Sequence, residues 1–188
     1  MKTALLTAAF LAVALPAAAV ETNEKASSYV MQNVMAWASD PLLINAVLAQ
    51  NARNASLTQA NIDALDAQWR AETGKSDSAL ISGVLHNPAS DFLNARLNDA
   101  GGTITETFAM DAMGLNVAAS ALTSDYWQGD EAKFSETFPK GAGAMHVGEV
   151  EFDESSQTYQ VQVSFPLVNP ADGAVVGAMT VALDAGTM

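Results

Sequence analysis

The spacing of apolar residues changes once along this chain, near Gly101-Gly102, and that change limits the possible folds more than any other feature. Ahead of the two glycines, apolar residues recur at about 3.6 residues, the period of a helix with one buried face. Behind them the period falls to about two, which is typical of strands that bury one face. A chain of 188 residues is of ordinary size for one domain. The sequence therefore predicts one α+β domain over residues 20–188, mainly helical over 20–100 and a sheet over 101–188.

Four helices are expected in the first part, and their ends carry local signals. In chain order they lie around Tyr29–Trp37, from Asp40-Pro41 to about Asn51, from Ser56–Gln59 to Gly74, and from Asn87-Pro88 to Gly101. Asp40 and Asn87 fit the N-cap position, because their side chains accept hydrogen bonds from the free N–H groups of the first turn. Proline at the next position has no N–H group to satisfy. Ser56 and Gln59 have the spacing of a capping box.

Five strands and one short helix are expected in the second part. In chain order they are strands over Thr103–Met110 and Leu115–Ser120, a helix over about Asp130–Phe138, and strands over about Met145–Phe152, Tyr159–Leu167 and Ala174–Leu183. The short connections between them predict hairpins and hence an antiparallel sheet. In the first strand, the period of about two puts Ile104, Glu106 and Phe108 on one face. The sheet needs a helical layer on its apolar face, and the N-terminal helices supply it.

Residues 1–19 are predicted to be a cleaved signal peptide. Lys2 precedes an apolar stretch that runs to Val20, and Pro16 and three alanines stand ahead of the predicted cut after Ala19. A basic start, a short apolar core and small residues before the cut are typical of secretory signals. An uncleaved membrane anchor is the alternative. Since no later segment reaches the ~18 apolar residues of a membrane span, a periplasmic or secreted protein is expected.

The charge balance excludes whole classes of function. The chain has 8 basic and 21 acidic residues and a net charge of −13, so it is expected to bind neither nucleic acid nor anionic lipid. It has no cysteine, and its two histidines, His86 and His146, lie far apart, so no metal ion or other cofactor is expected. The sequence has no nucleophile elbow, phosphate loop or metalloprotease motif. It is therefore not expected to be an enzyme, and a small hydrolase ranks last among the hypotheses.

Four stretches carry a resemblance to a known family. They are Phe108–Ser120, Thr123–Phe134, Val163–Leu167 and Val176–Val181. They are similar to the Cache, or PDC, family of PAS-like extracytoplasmic sensor domains, whose strand, Asp-x-x-Gly turn and strand correspond to the region around Asp111, the residue expected to cap that turn. The similarity in element order extends over the mature chain, but it is specific only over about Glu106–Phe138 and the last two strands. The resemblance implies a long N-terminal helix packed on a five-stranded antiparallel sheet.

The resemblance also implies a function. Modules of this family usually sit between two membrane spans of a histidine kinase, chemoreceptor or cyclase, and bind a small molecule on the distal side of the sheet. This sequence ends at Met188, soon after its last strand, so a stand-alone periplasmic sensor domain that binds an amino acid, amine or organic acid is expected. The alternative is an interaction module without a small ligand, which modulates a membrane receptor or kinase through its acidic surface. That alternative predicts a pocket closed by Met110, Met113 and Trp127.

Ten residues are candidates for contact with a ligand. They are Asn116, Ser120, Asp125, Tyr126, Trp127, Gln128, Asp130, Lys133, Gln162 and Ser164. In the resembling family, the inter-strand segment that corresponds to Asp125–Glu131 caps the pocket. Trp127 and Tyr126 offer flat walls, and Asp125 and Asp130 have the charge to receive an ammonium group. The polar candidates on the strands alternate with apolar residues and so face away from the core.

Several of these residues have a structural alternative. Asp130 fits the first turn of the short helix, with Trp127 packed beside it. Lys133 is either a ligand for a carboxylate or the solvated partner of a nearby acid such as Glu131. Glu106, which is in phase with apolar neighbours, is either a pocket acid or an acceptor at the edge of the core.

Overall fold

The computed structural model of the protein describes residues 17–154 and 157–188. Most of the predicted signal peptide, residues 1–16, lies outside this range. Within it, no helix is both long enough and apolar enough to cross a bilayer. A helical part is followed by a sheet, as the change of apolar period near Gly101-Gly102 predicts.

Six α-helices form the described helical part. They are α1 (Ala17–Tyr29), α2 (Met35–Ala38), α3 (Pro41–Asn54), α4 (Gln59–Glu72), α5 (Ala79–Leu85) and α6 (Pro88–Asp99). A π-helical turn, Val30–Val34, joins α1 to α2. The helix predicted around Tyr29–Trp37 is therefore part of a longer helical segment, and α5 is absent from the sequence prediction.

Side-chain caps determine where these helices begin. The Asp40 carboxylate accepts a hydrogen bond from a first-turn N–H at 2.8 Å, and Asn87 caps α6 in the same way, both as predicted. The predicted start at Ser56–Gln59 is wrong by two residues. Thr58 Oγ1 accepts from the N–H of Asn61, and Asn61 Oδ1 accepts from the N–H of Thr58 in return. Ser56–Gln59 and Thr58–Asn61 both have the three-residue spacing of a capping box, and the structure uses the second pair.

The second part is a five-stranded antiparallel sheet in the order β2-β1-β5-β4-β3. The strands are β1 (Ile104–Met110), β2 (Asn116–Ala119), β3 (His146–Asp153), β4 (Thr158–Val168) and β5 (Val175–Asp184). The helix predicted over about Asp130–Phe138 is split into α7 (Ala132–Ser135) and a 3-10 turn (Phe138–Lys140). The α+β class, the five strands and their antiparallel pairing are confirmed.

A bulge in β1 changes which of its residues share a face. Ile104 pairs with Leu183 and Glu106 pairs with Ala182, so β1 has one extra residue between the two pairs. Directly paired residues project to the same side of an antiparallel sheet, and an extra residue reverses the alternation. Ile104 therefore joins the core under the helices, whereas Glu106 and Phe108 face the other side. The prediction that all three share a face is wrong for Ile104.

The two faces of the sheet are covered unequally. One face, the helix face, packs on α1, the π-helical turn, α3 and α6, and alternating residues of β4 such as Val161, Val163 and Phe165 build its core. The opposite face, the distal face, is covered near β1 and β2, where Trp69 of α4 and Phe108 of β1 belong to a second cluster. Over β3 and β4 the distal face carries the short α7. A groove remains open there.

Candidate functional site

A groove opens on the distal face between α7, the segment 122–128 and the strands β1, β3 and β4. It consists of two adjoining depressions of about 370 and about 320 Å³. The larger is lined by Glu106, Phe108, Gln128, Phe152 and Asp153, among others, and the smaller by Glu131, His146, Gly148 and Glu149. Both are lined by Lys133, Glu151, Gln160 and Gln162. We call the two depressions together the distal groove.

The register of the sheet explains the floor of the distal groove. Glu106, Ala182 and Gln162 lie side by side on β1, β5 and β4. In the next row, the hydroxyl oxygens of Ser164 and Thr180 are hydrogen-bonded at 2.9 Å, and both residues are fully buried. Because only a methyl group separates Glu106 from Gln162, the two longer polar side chains bound a space above it.

Glu106 is a largely buried acid of this groove. Burial raises the pKa of Glu106 to about 7, with the charge of Lys133 acting against the shift and that of Asp153 in its favour. Such a group changes its charge in the neutral range. A buried carboxylate is unfavourable unless a partner compensates it, and a strongly shifted pKa in a cleft marks a candidate functional group.

Acids dominate the lining of the groove, and Lys133 is set among them. Its Nζ lies 3.0 Å from a carboxylate oxygen of Glu131 and 5.5 Å from the centroid of the Phe108 ring. Lys133 is thus the partner of Glu131, one of the two alternatives that the sequence leaves open, and it also lines the groove. Within residues 17–154 and 157–188, no group of three or more His, Cys, Asp or Glu side chains is placed to hold a metal ion.

Residues 125–127 of the segment Asp125–Glu131, which is expected to cap a pocket, are held against α4. The ring of Tyr126 stacks on Trp69 with centroids 5.4 Å apart. Asp66 Oδ1 accepts from the backbone N–H groups of Tyr126 and Trp127 at 2.9 and 3.1 Å. The indole N–H of Trp127 donates to a carbonyl oxygen of the β1–β2 turn at 2.8 Å. The two rings therefore serve packing, and neither lines the distal groove.

Asp125 is engaged in an ion pair. Arg70 Nη1 lies 2.7 Å from Asp125 Oδ1, and the same guanidinium also contacts Asp66. Burial raises the pKa of Asp125, but hydrogen bonds from Arg70 and Ser124 outweigh burial and leave the pKa below its usual value. This carboxylate therefore ties the segment to α4, and it does not line the groove.

Four other candidates also lie outside the lining of the groove. Asn116 is fully buried, and its Nδ2 donates to Thr123 Oγ1 at 2.9 Å. Ser120 Oγ accepts from a backbone N–H of β1 at 2.9 Å. Ser164 is buried in the row of the sheet next to the floor and bonded to Thr180, and Asp130 is exposed. The candidates that the structure brings together in the groove are Gln128, Lys133 and Gln162.

The acids on β3 are absent from the sequence-based candidates. Glu149, Glu151 and Asp153 line the groove. Their spacing of two residues was the available signal, because residues that alternate along a strand share one face. The alternation does not show whether that face of the strand lies in a cleft.

Glu106→Gln is expected to raise the free energy of unfolding near pH 8 by about 3 kcal/mol and to change it little near pH 4. The usual pKa of this group is 4.5, so between that value and about 7 the folded state holds a proton that the unfolded state has released. Stability therefore falls as the pH rises through this window, and the full penalty of the buried charge is present above it. Glutamine carries no charge at either pH.

Urea unfolding of both proteins near pH 4, 6 and 8 measures this effect. Glu151→Gln is the matched control, because Glu151 is an exposed acid at the rim of the same groove. Its effect is expected to stay within about 0.5 kcal/mol at each pH. A Glu106→Gln effect that is the same at every pH would show that ionisation is not its source.

Comparisons with known proteins return sensor domains among the solved structures. No family model and no curated protein matches the chain. The sensor domain of the V. cholerae histidine kinase DctB aligns with a TM-score of 0.46 and 15% identity over 88% of this chain and 54% of that one. The ligand-binding domain of the Campylobacter jejuni chemoreceptor Tlp3, in complex with 4-methylisoleucine, aligns with a TM-score of 0.41 and 12% identity over 90% of this chain and 61% of that one.

A third solved structure is the ligand-binding domain of the Pseudomonas aeruginosa PAO1 amino acid chemoreceptor PctC in complex with GABA. It aligns with a TM-score of 0.36 and 15% identity over 87% of this chain and 61% of that one. The chain thus spans 54 to 61% of the length of these three domains.

Proposed function

We propose that this chain is a sensor-type domain of the Cache kind, which binds a small organic ligand in the distal groove. The observation that carries the proposal is the unequal covering of the sheet. One face is closed by helices, while the other holds a groove lined by the largely buried Glu106 together with Gln128, Lys133 and Gln162. Concave sites with a few convergent polar groups are where small ligands bind.

The chemistry of the groove supports this proposal. A folded domain gains nothing in stability from a carboxyl group whose pKa burial raises to about 7. The burial of such a group is explained if a bound ligand supplies the contacts that the carboxyl group lacks. An export signal at residues 1–19 would place the domain in the periplasm or outside the cell, where small solutes reach the groove directly.

Contacts between the groove wall and α4 give ligand binding a route beyond the groove. The wall residue Thr123 is bonded through its carbonyl oxygen to the indole N–H of Trp69 at 2.9 Å. Asp66, also on α4, accepts hydrogen bonds from the backbone N–H groups of Tyr126 and Trp127. A ligand that displaces this wall would therefore displace α4, which is the kind of physical link that signalling requires.

A binding screen with a blocked groove tests the proposal. Thermal shift and calorimetry are measured with amino acids, amines and organic acids on wild type, Gln162→Trp and Gln32→Trp. Gln162 stands on the floor of the groove, and Gln32 is an exposed residue of the π-helical turn. A true ligand is expected to stabilise the wild type by about 2.7 kcal/mol at a hundredfold excess over its Kd.

The blocked variant is expected to lose this stabilisation, and Gln32→Trp is expected to keep it. If no compound of the three classes stabilises the wild type, or if Gln162→Trp binds as well as the wild type, the proposal is wrong. The alternative of a ligand-free interaction module predicts a pocket closed by Met110, Met113 and Trp127. These side chains belong to the second cluster, and the groove beside them stays open, which favours the ligand-binding proposal.

A further inference from the structure

The charges of the distal groove discriminate between classes of ligand. Five carboxyl groups line it, those of Glu106, Glu131, Glu149, Glu151 and Asp153. Against them stands the ammonium group of Lys133, which is already 3.0 Å from Glu131. A ligand carboxylate would meet several like charges and would have to compete with Glu131 for the lysine. Like charges brought close in a partly buried site repel strongly, so the lining disfavours organic acids.

A second observation, independent of the carboxylates, points the same way. Gln128 lines the groove and is 2% exposed. Its Nε2 donates to the carbonyl oxygen of Asp125 at 2.8 Å, which orients the amide. Its Oε1 is buried and has no hydrogen-bond partner among the residues that the structure describes. A buried acceptor is stabilised by an N–H donor and not by a carboxylate.

The position of Lys133 shows how the groove holds a cation. The Nζ atom of Lys133 lies over the Phe108 ring at 5.5 Å from its centroid and next to a carboxylate of Glu131. An aromatic face combined with a carboxylate is a favourable environment for an ammonium group. The ammonium comes from a flexible side chain on α7, a helix of four residues. A free ammonium group can therefore take its place once the side chain swings away.

On these grounds, and resting on the function proposed above, we propose that the ligand is a linear organic cation with at least two ammonium groups, and that Lys133 is its tethered competitor. One ammonium group displaces Lys133 Nζ from the Phe108 ring. The other reaches the acids at the far end of the groove, since the two depressions share the lining residues Lys133, Glu151, Gln160 and Gln162. The carbon chain between the two groups lies along the sheet.

The test uses probes that differ in charge and little else. Calorimetry at constant ionic strength compares putrescine and spermidine with butylamine, succinate and L-valine. Putrescine and spermidine are expected to bind at least about tenfold more tightly than butylamine, since each close charge pair contributes about a factor of ten. Succinate is expected not to bind. Tighter binding of succinate or L-valine than of putrescine would overturn the inference.

Charge variants separate a built site from general attraction to an acidic protein. Glu106→Gln is expected to weaken putrescine binding about tenfold, and Glu24→Gln, an exposed change on α1, is expected to leave it unchanged. Lys133→Met is expected to strengthen binding severalfold because the competitor is gone, whereas Lys140→Met removes the same charge from an exposed site and is expected to have little effect. Equal effects within either pair would contradict the inference.

The outcomes also distinguish this inference from the proposed function. If L-valine or another uncharged or acidic compound binds in the groove and is lost in Gln162→Trp, while putrescine and spermidine do not bind, the charge assignment fails and the sensor function stands. If no compound of any class binds, both fail. If putrescine binds but Lys133→Met has the affinity of the wild type, the displacement of Lys133 is wrong.

Discussion

Asp111→Ala is expected to lower the free energy of unfolding by about 4 kcal/mol, because each buried donor left without an acceptor costs about 1–3 kcal/mol. Asp111 is fully buried in the β1–β2 turn. Its Oδ1 accepts from the N–H groups of Met113 and Leu115 at 2.8 and 3.0 Å, and its Oδ2 accepts from Asn54 Nδ2 and Gln50 Nε2 at 2.7 and 3.1 Å. The variant leaves all four donors without this acceptor. Urea unfolding measures the loss as a lower midpoint at an unchanged slope.

Two further variants show where this energy arises. Asp111→Asn keeps an oxygen for the turn but presents an NH₂ group to the two amides of α3, so it is expected to lose part of the stability. Asp172→Ala is the matched control, since Asp172 accepts from a backbone N–H in an exposed turn at 3.0 Å. Its expected loss is below about 1 kcal/mol. Equal losses for Asp111→Ala and Asp172→Ala would mean that burial is not the cause.

Trp69→Ala is expected to cost about 4 kcal/mol, in the range of large aromatic residues removed from a core. Trp69 is fully buried, stacks on Tyr126 and donates to the carbonyl oxygen of Thr123. Trp69→Phe keeps an aromatic ring beside Tyr126 and loses the hydrogen bond, so its expected cost is about 1–2 kcal/mol. Because Thr123 lines the distal groove, Trp69→Phe is also expected to weaken the binding of any ligand found there.

Trp37→Phe is the control for the two Trp69 variants. Trp37 is half-buried and packs edge-on against Phe92 at 6.0 Å, on the helix face of the sheet. The Trp37→Phe variant is expected to be less stable than the wild type and to have the same ligand affinity. If Trp69→Phe and Trp37→Phe change the affinity alike, the contact between α4 and the groove wall does not control the groove.

Local signals predicted most of the fold. The caps at Asp40 and Asn87 and the alternation in β4 are confirmed, because each depends on residues a few positions apart. Two predictions of local structure are wrong, those for the cap of α4 and for the face of Ile104. Thr58 competes with Ser56 for the cap, and one extra residue in β1 reverses the face of Ile104. A period counted along the chain cannot show a bulge that only strand pairing creates.

The residues of the candidate site were harder to predict from the sequence than the fold. The segment Asp125–Glu131 is unusual in composition and is predicted from the family resemblance to cap a pocket, but its N-terminal part is bound by Asp66, Trp69 and Arg70 of α4. Those three residues are spaced along one face of a helix about 60 positions earlier. Their spacing predicts the helix and says nothing about the segment that it will meet.

The sequence by itself determined the α+β class, the order of the five strands and the excess of acidic residues, because periodicity, capping and composition act within a few residues. Only the tertiary structure decided which polar groups meet in the distal groove. Glu106 comes from β1, Lys133 from α7, and Glu151 and Gln162 from the β3–β4 hairpin. Their proximity follows from the pairing order of the strands and from the bulge in β1, both of which are set by packing between distant parts of the chain.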